Sequence, residues 1–199
     1  AQIQGFFKVP VDDLYALPLL CDEIRTKDLH DVVVVSPDTG FAKKARRFAS
    51  FLGAPLAIGD KERSEHDERP EMTQVIGEVA GRTALIVDDF VTSGGTVVQM
   101  AHVLAERGAK RIYAAISHGV LAPGAIQRID DSPITELLVT DSVEFSHERR
   151  AEKISTVSVA PLFGEAIRRI HNRQSVSTLF TKDGWELVRD RTSALRKDS

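Results

Sequence analysis

The segment "TALIVDDFVTSGGT", Thr83 to Thr96, holds the residues best suited to chemistry in this sequence. An apolar run ends in two adjacent carboxylates, Asp88 and Asp89, and a small-residue bend follows. Gly94 and Gly95 let backbone N–H groups converge on an anion, and a helix starting there adds its positive end. Thr92, Ser93 and Thr96 add hydroxyl donors, a set that suits a phosphate monoester. Two acids beside a phosphate would repel it unless they serve another group. Hydrogen bonds to sugar hydroxyls, or Mg²⁺ held through water, give them that task. Together these residues describe a site for a phosphorylated ribose. A plain strand–turn–helix, with an Asp cap and glycines for the bend, is the alternative. The segment is neither a Walker A loop nor the three-glycine dinucleotide fingerprint.

The elements that must position this bend are readable in outline. "DVVVVSP" (31–37) is a β-branched run without alternation, as expected of a strand buried on both faces. "FAKKARRFASFLG" places Phe41, Ala45, Phe48, Ala49 and Leu52 at helical spacing, with Gly53 as its stop. "APLAIGD", "ALIVDD", "RIYAAISHG", "TELLVTDSV" and "KISTVSVAP" read as further strands, and "TVVQMAHVLAERGAK" and "LFGEAIRRIHN" as helices. A short helix falls around 122–129, and "PVDDLYALPLLCDEIRTK" is helical with Pro18 as a break point. Alternation of this kind predicts an α/β fold with a doubly wound, mainly parallel sheet. Ligands bind such sheets at the carboxyl ends of the strands, where the bend lies. "KERSEHDERPE" (61–71) has no apolar face and reads as a mobile surface loop.

Composition limits the remaining possibilities. The 199 residues are 42% hydrophobic and 28% charged, with a net charge of −3, so no general affinity for nucleic acid or membrane is expected. No run approaches the roughly 20 apolar residues of a membrane helix. Cys21 is the single cysteine, which excludes an internal disulfide and fits a reducing cytoplasm. The first residues, "AQIQGFF", lack an initiator methionine and suggest a processed or truncated start.

"LIVDDFVTSGGT" resembles the phosphoribosyl diphosphate loop of type I phosphoribosyltransferase folds. "VVVVSPDTGFAKKARRFASFLGAPLAIGDKER", "SHGVLAPGAIQRI", "ITELLVTDSV" and "SVSTLF" are similar, in order and spacing, to ribose-phosphate diphosphokinases. The resemblance runs to about Phe180 and matches the second part of that family's chain, the family's N-terminal portion being absent. It implies one phosphoribosyltransferase-type α/β domain over 1–180 and a polar tail over 181–199.

The resemblance further implies that Asp88, Asp89, Thr92, Ser93, Gly94, Gly95 and Thr96 bind ribose 5-phosphate. Lys61 and Arg63 correspond to the catalytic basic pair of the family's flexible loop. Asp38, Thr39, Gly40, Phe41 and Ala42 would lie at the transferred diphosphate, with Asp38 helping to hold Mg²⁺. The implied activity is transfer of diphosphate from ATP to the 1-hydroxyl of ribose 5-phosphate, in a homo-oligomer expected to be a hexamer. Two departures stand out: Thr92 and Ser93 where the family usually has an acid or Ser and then Thr, and Phe41 where a second glycine is frequent. A phosphoribosyltransferase and a non-catalytic regulatory homologue are the competing functions. His118, after a strand and before a glycine, is equally a ligand contact or a hydrogen-bonded loop residue. Arg168 and Arg169 read as the exposed edge of a helix.

Overall fold

The computed structural model describes residues 5–62, 71–144, 151–186 and 188–189, with the side chains of 61, 62 and 71–73 set aside. Described residues group into two compact units, one comprising Leu20–Ser158 and the other Ala1–Leu19 with Val159–Ser199.

The larger unit is built on a seven-stranded sheet. Its strands are β1 (Val32–Ser36), β2 (Leu56–Glu62), β3 (Glu71–Ile76), β4 (Thr83–Val91), β5 (Arg111–Gly119), β6 (Glu136–Thr140) and β7 (Ile154–Val157). The order is β3-β2-β1-β4-β5-β6-β7. Every pairing is parallel except β2 with β3. The strand order reverses between β1 and β4, since β2 and β3 extend to one side of β1 and β4 to β7 to the other. Such a switch opens a crevice at the strands' carboxyl ends.

Valines and isoleucines make the sheet because both of its faces are covered. Val33, Val34, Val35, Leu85, Ile86 and Val87 are all buried, which explains why these strands read as continuous apolar runs. Helices α2 (Ala42–Leu52), α3 (Gly95–Glu106) and α4 (Ala125–Asp130) follow β1, β4 and β5. Met100, Ala101 and Leu104 of α3 pack in one core with Val35, Ile86, Ala114 and Ile116. Helix α2 ends as expected at Gly53, whose φ of 68° is left-handed, and the Ala54 N–H closes on the Ala49 carbonyl at 2.9 Å. Its buried face uses Phe51 where the spacing pointed to Leu52, which is half-buried.

Helix α1 (Leu17–Thr26) carries Pro18 in its first turn, where the missing N–H has no intrahelical partner to lose. The proline therefore marks the helix start and does not split a longer helix. Cys21 is fully buried, and burial pushes its thiol far above the ordinary range, so it packs as a small apolar side chain.

The expected loop over 61–71 is corrected at both ends. Strand β2 runs through Lys61 and Glu62, and β3 begins at Glu71, giving an antiparallel pair with Asp60 opposite Gln74 and Lys61 opposite Met72. Backbone pairing here needs little apolar support: of 74–76, only Val75 is buried. An edge strand whose described side chains, 74–76, include one buried residue leaves almost no periodicity to read. Residues 63–70 lie outside the described residues.

The smaller unit contains α5 (Ala160–His171), which has proline in its first turn, and a 3₁₀ turn over Ser177–Phe180. Glu165, 8% exposed, accepts from Arg168 Nε (2.7 Å) and Nη2 (2.7 Å) and from Arg169 Nε (2.8 Å). Arg169 also donates to the Ser175 carbonyl at 3.0 Å. Arg169 therefore ties the helix to its following turn, a role beyond the exposed edge expected of it, whereas Arg168 pairs with Glu165 within the helix. Helical turns continue over 182–186, and Trp185 is buried. No helix among the described residues is long and apolar enough to cross a membrane.

Candidate ribose-phosphate site

Strand β4 outruns its neighbour β1: the β1 pairing ends at Ile86, whereas the chain stays extended to Val91. Asp88 and Asp89 thus stand at the crevice beside the switch point. A cavity of about 450 Å³ opens there. It is lined by Asp88 to Val97 from β4, the bend and α3, by Asp38, Gly40, Phe41 and Lys44 from the β1–α2 turn, and by Ile116.

Gly94 makes the bend possible. Its φ of 76° is left-handed, and an added Cβ would lie 3.4 Å from Ile129 Cγ1. The first intrahelical bond of α3 runs from the Val98 N–H to the Gly94 carbonyl at 3.0 Å. The Gly95 N–H reaches Ser93 Oγ only weakly, at 3.4 Å, and no described hydrogen bond uses the N–H groups of Thr96 and Val97. A helix start with donors to spare, beside hydroxyls, is equipped for a phosphate. From the far side, Arg128 of α4 donates through Nη1 to the Ser93 carbonyl.

The two acids are half-buried and differ in surroundings. Asp88 Oδ1 accepts the Asp89 N–H at 2.8 Å, which directs this carboxylate along its own backbone. Asp89 Oδ2 is paired with Lys44 Nζ. That pair is exposed, the side chains at 44% and 57%, so water screens it to about 0.2–1 kcal/mol.

Across the cavity, Asp38 Oδ1 accepts the Phe41 N–H at 2.9 Å, and the Ser36 hydroxyl donates to the Asp38 carbonyl at 2.7 Å. Asp38 thereby closes the turn that leads into α2, and it lines the cavity. Gly40 is sterically tight there, since a Cβ would come within 3.2 Å of Asp38 Oδ1. Phe41 is only 8% exposed, and its ring centroid lies 5.3 Å from Lys44 Nζ.

Thus Asp38, Gly40, Phe41, Asp88, Asp89 and Thr92–Thr96 share one cavity, although sequence places the two groups about fifty residues apart. Thr39 and Ala42 belong to the same turn, joined by a 3.3 Å bond from the Ala42 N–H to the Thr39 carbonyl, but do not line it. The Lys61 backbone lies on β2, on the other side of β1 from β4, with its side chain outside the described set. Arg63 lies outside the described residues altogether. His118 Nδ1 meets Ser142 Oγ at 2.7 Å and does not line the cavity. Sequence reading missed Lys44 and Arg128. Lys44 is the fourth residue after Gly40, one turn on, a place from which a long side chain reaches back to the strand ends; Arg128 gave no local signal.

Hard oxygen donors from aspartates are the right type for a divalent cation such as Mg²⁺. No group of three or more metal-ligating side chains occurs among the described residues. One or two carboxylates completed by substrate phosphates is the usual way Mg²⁺ is bound, so the residues fit a metal that arrives with its substrate.

Residues 62–181, more than half of the chain, match the phosphoribosyl synthetase-associated domain. The chain belongs to this family. Phosphoribosyl synthetase relatives include a ribose-phosphate pyrophosphokinase from Caldanaerobacter subterraneus subsp. tengcongensis, 49% identical over 181 residues, covering 90% of this chain and 57% of the relative. Another, from Bacillus caldolyticus, is 46% identical over 179 residues, with 90% and 56% covered. The crystal structure of phosphoribosylpyrophosphate synthetase from Mycobacterium smegmatis superposes with a TM-score of 0.76 at 37% identity, over 86% of this chain and 56% of that one. Orotate phosphoribosyltransferase from Aeropyrum pernix, 20% identical with a TM-score of 0.51 over 77% of this chain and 75% of its own, shares the fold. The chain spans little more than half the length of the synthetase relatives it matches.

Proposed function

We propose that this chain forms the ribose-phosphate half of a Mg²⁺-dependent ribose-phosphate diphosphokinase. In that reaction the 1-hydroxyl oxygen of ribose 5-phosphate bonds to the β-phosphorus of ATP. The bond from that phosphorus to the oxygen of the α-phosphate breaks, the hydroxyl proton is lost, and AMP leaves. The reading rests chiefly on one observation: an acid pair, a donor-rich helix start and a second acidic turn face a single cavity.

In this reading the N–H groups and hydroxyls of Thr92–Thr96 grip the 5-phosphate, and Asp88 and Asp89 accept hydrogen bonds from ribose hydroxyls. Those contacts leave the 1-hydroxyl directed at the Asp38–Ala42 turn, where the diphosphoryl group would lie. Asp38 would help to hold Mg²⁺, which when bound shields the phosphoryl charge. Such transfers depend on positioning and charge stabilisation more than on covalent participation by the enzyme. Lys61 and Arg63 are proposed to bring positive charge to the diphosphoryl oxygens as water is expelled.

ATP and ribose 5-phosphate as substrates, a hexameric homo-oligomer and a cytoplasmic setting belong to the same proposal. The test is incubation of the full encoded protein with ATP, ribose 5-phosphate and Mg²⁺. Equal amounts of AMP and 5-phosphoribosyl 1-diphosphate are expected. Absence of AMP would refute the diphosphokinase reading.

A further inference from the structure

Three carboxylates, Asp38, Asp88 and Asp89, line the cavity, and Lys44 is the only cation among the described residues that do. A diphosphoryl group entering beside those acids needs positive charge close by. Lys44 sits in the first turn of α2, with its N–H on the Phe41 carbonyl at 2.9 Å, so its backbone is fixed by the turn assigned to the diphosphate. Its ammonium meets the other half of the site at Asp89. It therefore spans the two halves that the reaction must bring together.

We infer that Lys44 is an exchangeable diphosphate-binding residue: it pairs with Asp89 before the sugar phosphate binds and turns to the diphosphoryl oxygens once ribose hydroxyls occupy Asp89. This rests on the ribose-phosphate reading of the cavity. The pair's exposure makes the exchange feasible, because a screened ion pair is readily displaced by a multiply charged anion. A lysine stem with three rotatable donors also reaches two acceptors without moving the backbone. The consequence is coupling: binding of the sugar phosphate frees Lys44 and so strengthens binding of a diphosphate.

Calorimetric titration with ribose 5-phosphate, with inorganic pyrophosphate, and with pyrophosphate after saturation by ribose 5-phosphate tests this, using the full encoded protein as wild type, Lys44→Met and Lys44→Arg. In the wild type, ribose 5-phosphate should tighten pyrophosphate binding by about fivefold or more, the lower end of ordinary coupling. Lys44→Met should abolish that coupling and weaken pyrophosphate about tenfold, while ribose 5-phosphate affinity stays within about threefold. Lys44→Arg should keep both. Unchanged coupling in Lys44→Met overturns the inference. So does parallel weakening of both ligands with a fall in thermal midpoint, which marks a structural role. Failure of the wild type to bind ribose 5-phosphate instead refutes the underlying reading of the site, an outcome distinct from any change in the variants.

Discussion

Arg128 Nη1 donates to the carbonyl oxygen of Ser93, joining α4 to the bend between β4 and α3 across 35 residues of sequence. The contact fixes a peptide in a segment that has few other internal bonds. Arg128→Ala should weaken ribose 5-phosphate binding by about three- to tenfold through loss of loop order. Because the contact is exposed, global stability should change by no more than about 0.5 kcal/mol. Calorimetry together with urea unfolding separates the two effects.

Gly94→Ala strikes the same bend from within. A left-handed φ of 76° costs a residue with a Cβ about 1–2 kcal/mol. The variant should unfold at lower urea and lose most of its sugar-phosphate affinity. Retained affinity would mean that the N–H groups at the helix start are not the phosphate ligands.

Asp89→Asn removes the negative charge that pairs with Lys44 but leaves shape intact. Stability should fall by no more than about 1 kcal/mol, since the pair is exposed. Ribose 5-phosphate affinity should fall about tenfold, the loss expected for a hydrogen bond to a charged group. Isothermal calorimetry checks the second figure and thermal unfolding the first.

Glu165 supplies a pH test in the smaller unit. Hydrogen bonds from Arg168, followed by those from Arg169, hold its carboxyl below the ordinary glutamate range against the opposing effect of burial. A depressed folded-state value means the stabilisation is fully present above the unfolded value and is lost as pH falls through the folded one. Unfolding free energy should therefore decline below the ordinary glutamate range. Glu165→Gln should flatten that part of the profile and destabilise at neutral pH by about 1–3 kcal/mol. A slope unchanged in the variant would place the acid sensitivity elsewhere.

The fold was legible where burial leaves a strong pattern. Val32–Ser36 and Arg111–Gly119 stand close to where their apolar runs put them, because strands covered on both faces need continuous hydrophobic residues. Strand β3 was not legible, since an edge strand is held by backbone bonds that every residue type can make. Strand β7 was overextended: Ser158 leaves the strand and Pro161 falls within α5, where it is suited to a first turn. In the site, Asp88, Asp89 and the glycine bend announced themselves as local chemistry. Their meeting with Asp38 and Gly40 is a product of the β1–β4 pairing, and Lys44 and Arg128 act through contacts 45 and 35 residues distant. Local spacing carries no signal for partners of that kind.

Direct titration of the chain with ribose 5-phosphate in the presence of Mg²⁺, followed by amide resonances, probes the central claim most closely. Saturable binding is predicted, with the largest shifts at the N–H groups of Gly95, Thr96 and Val97 and with matching loss in Gly94→Ala and Asp89→Asn. Saturation that leaves those three amides unmoved, or no binding at all, would contradict it.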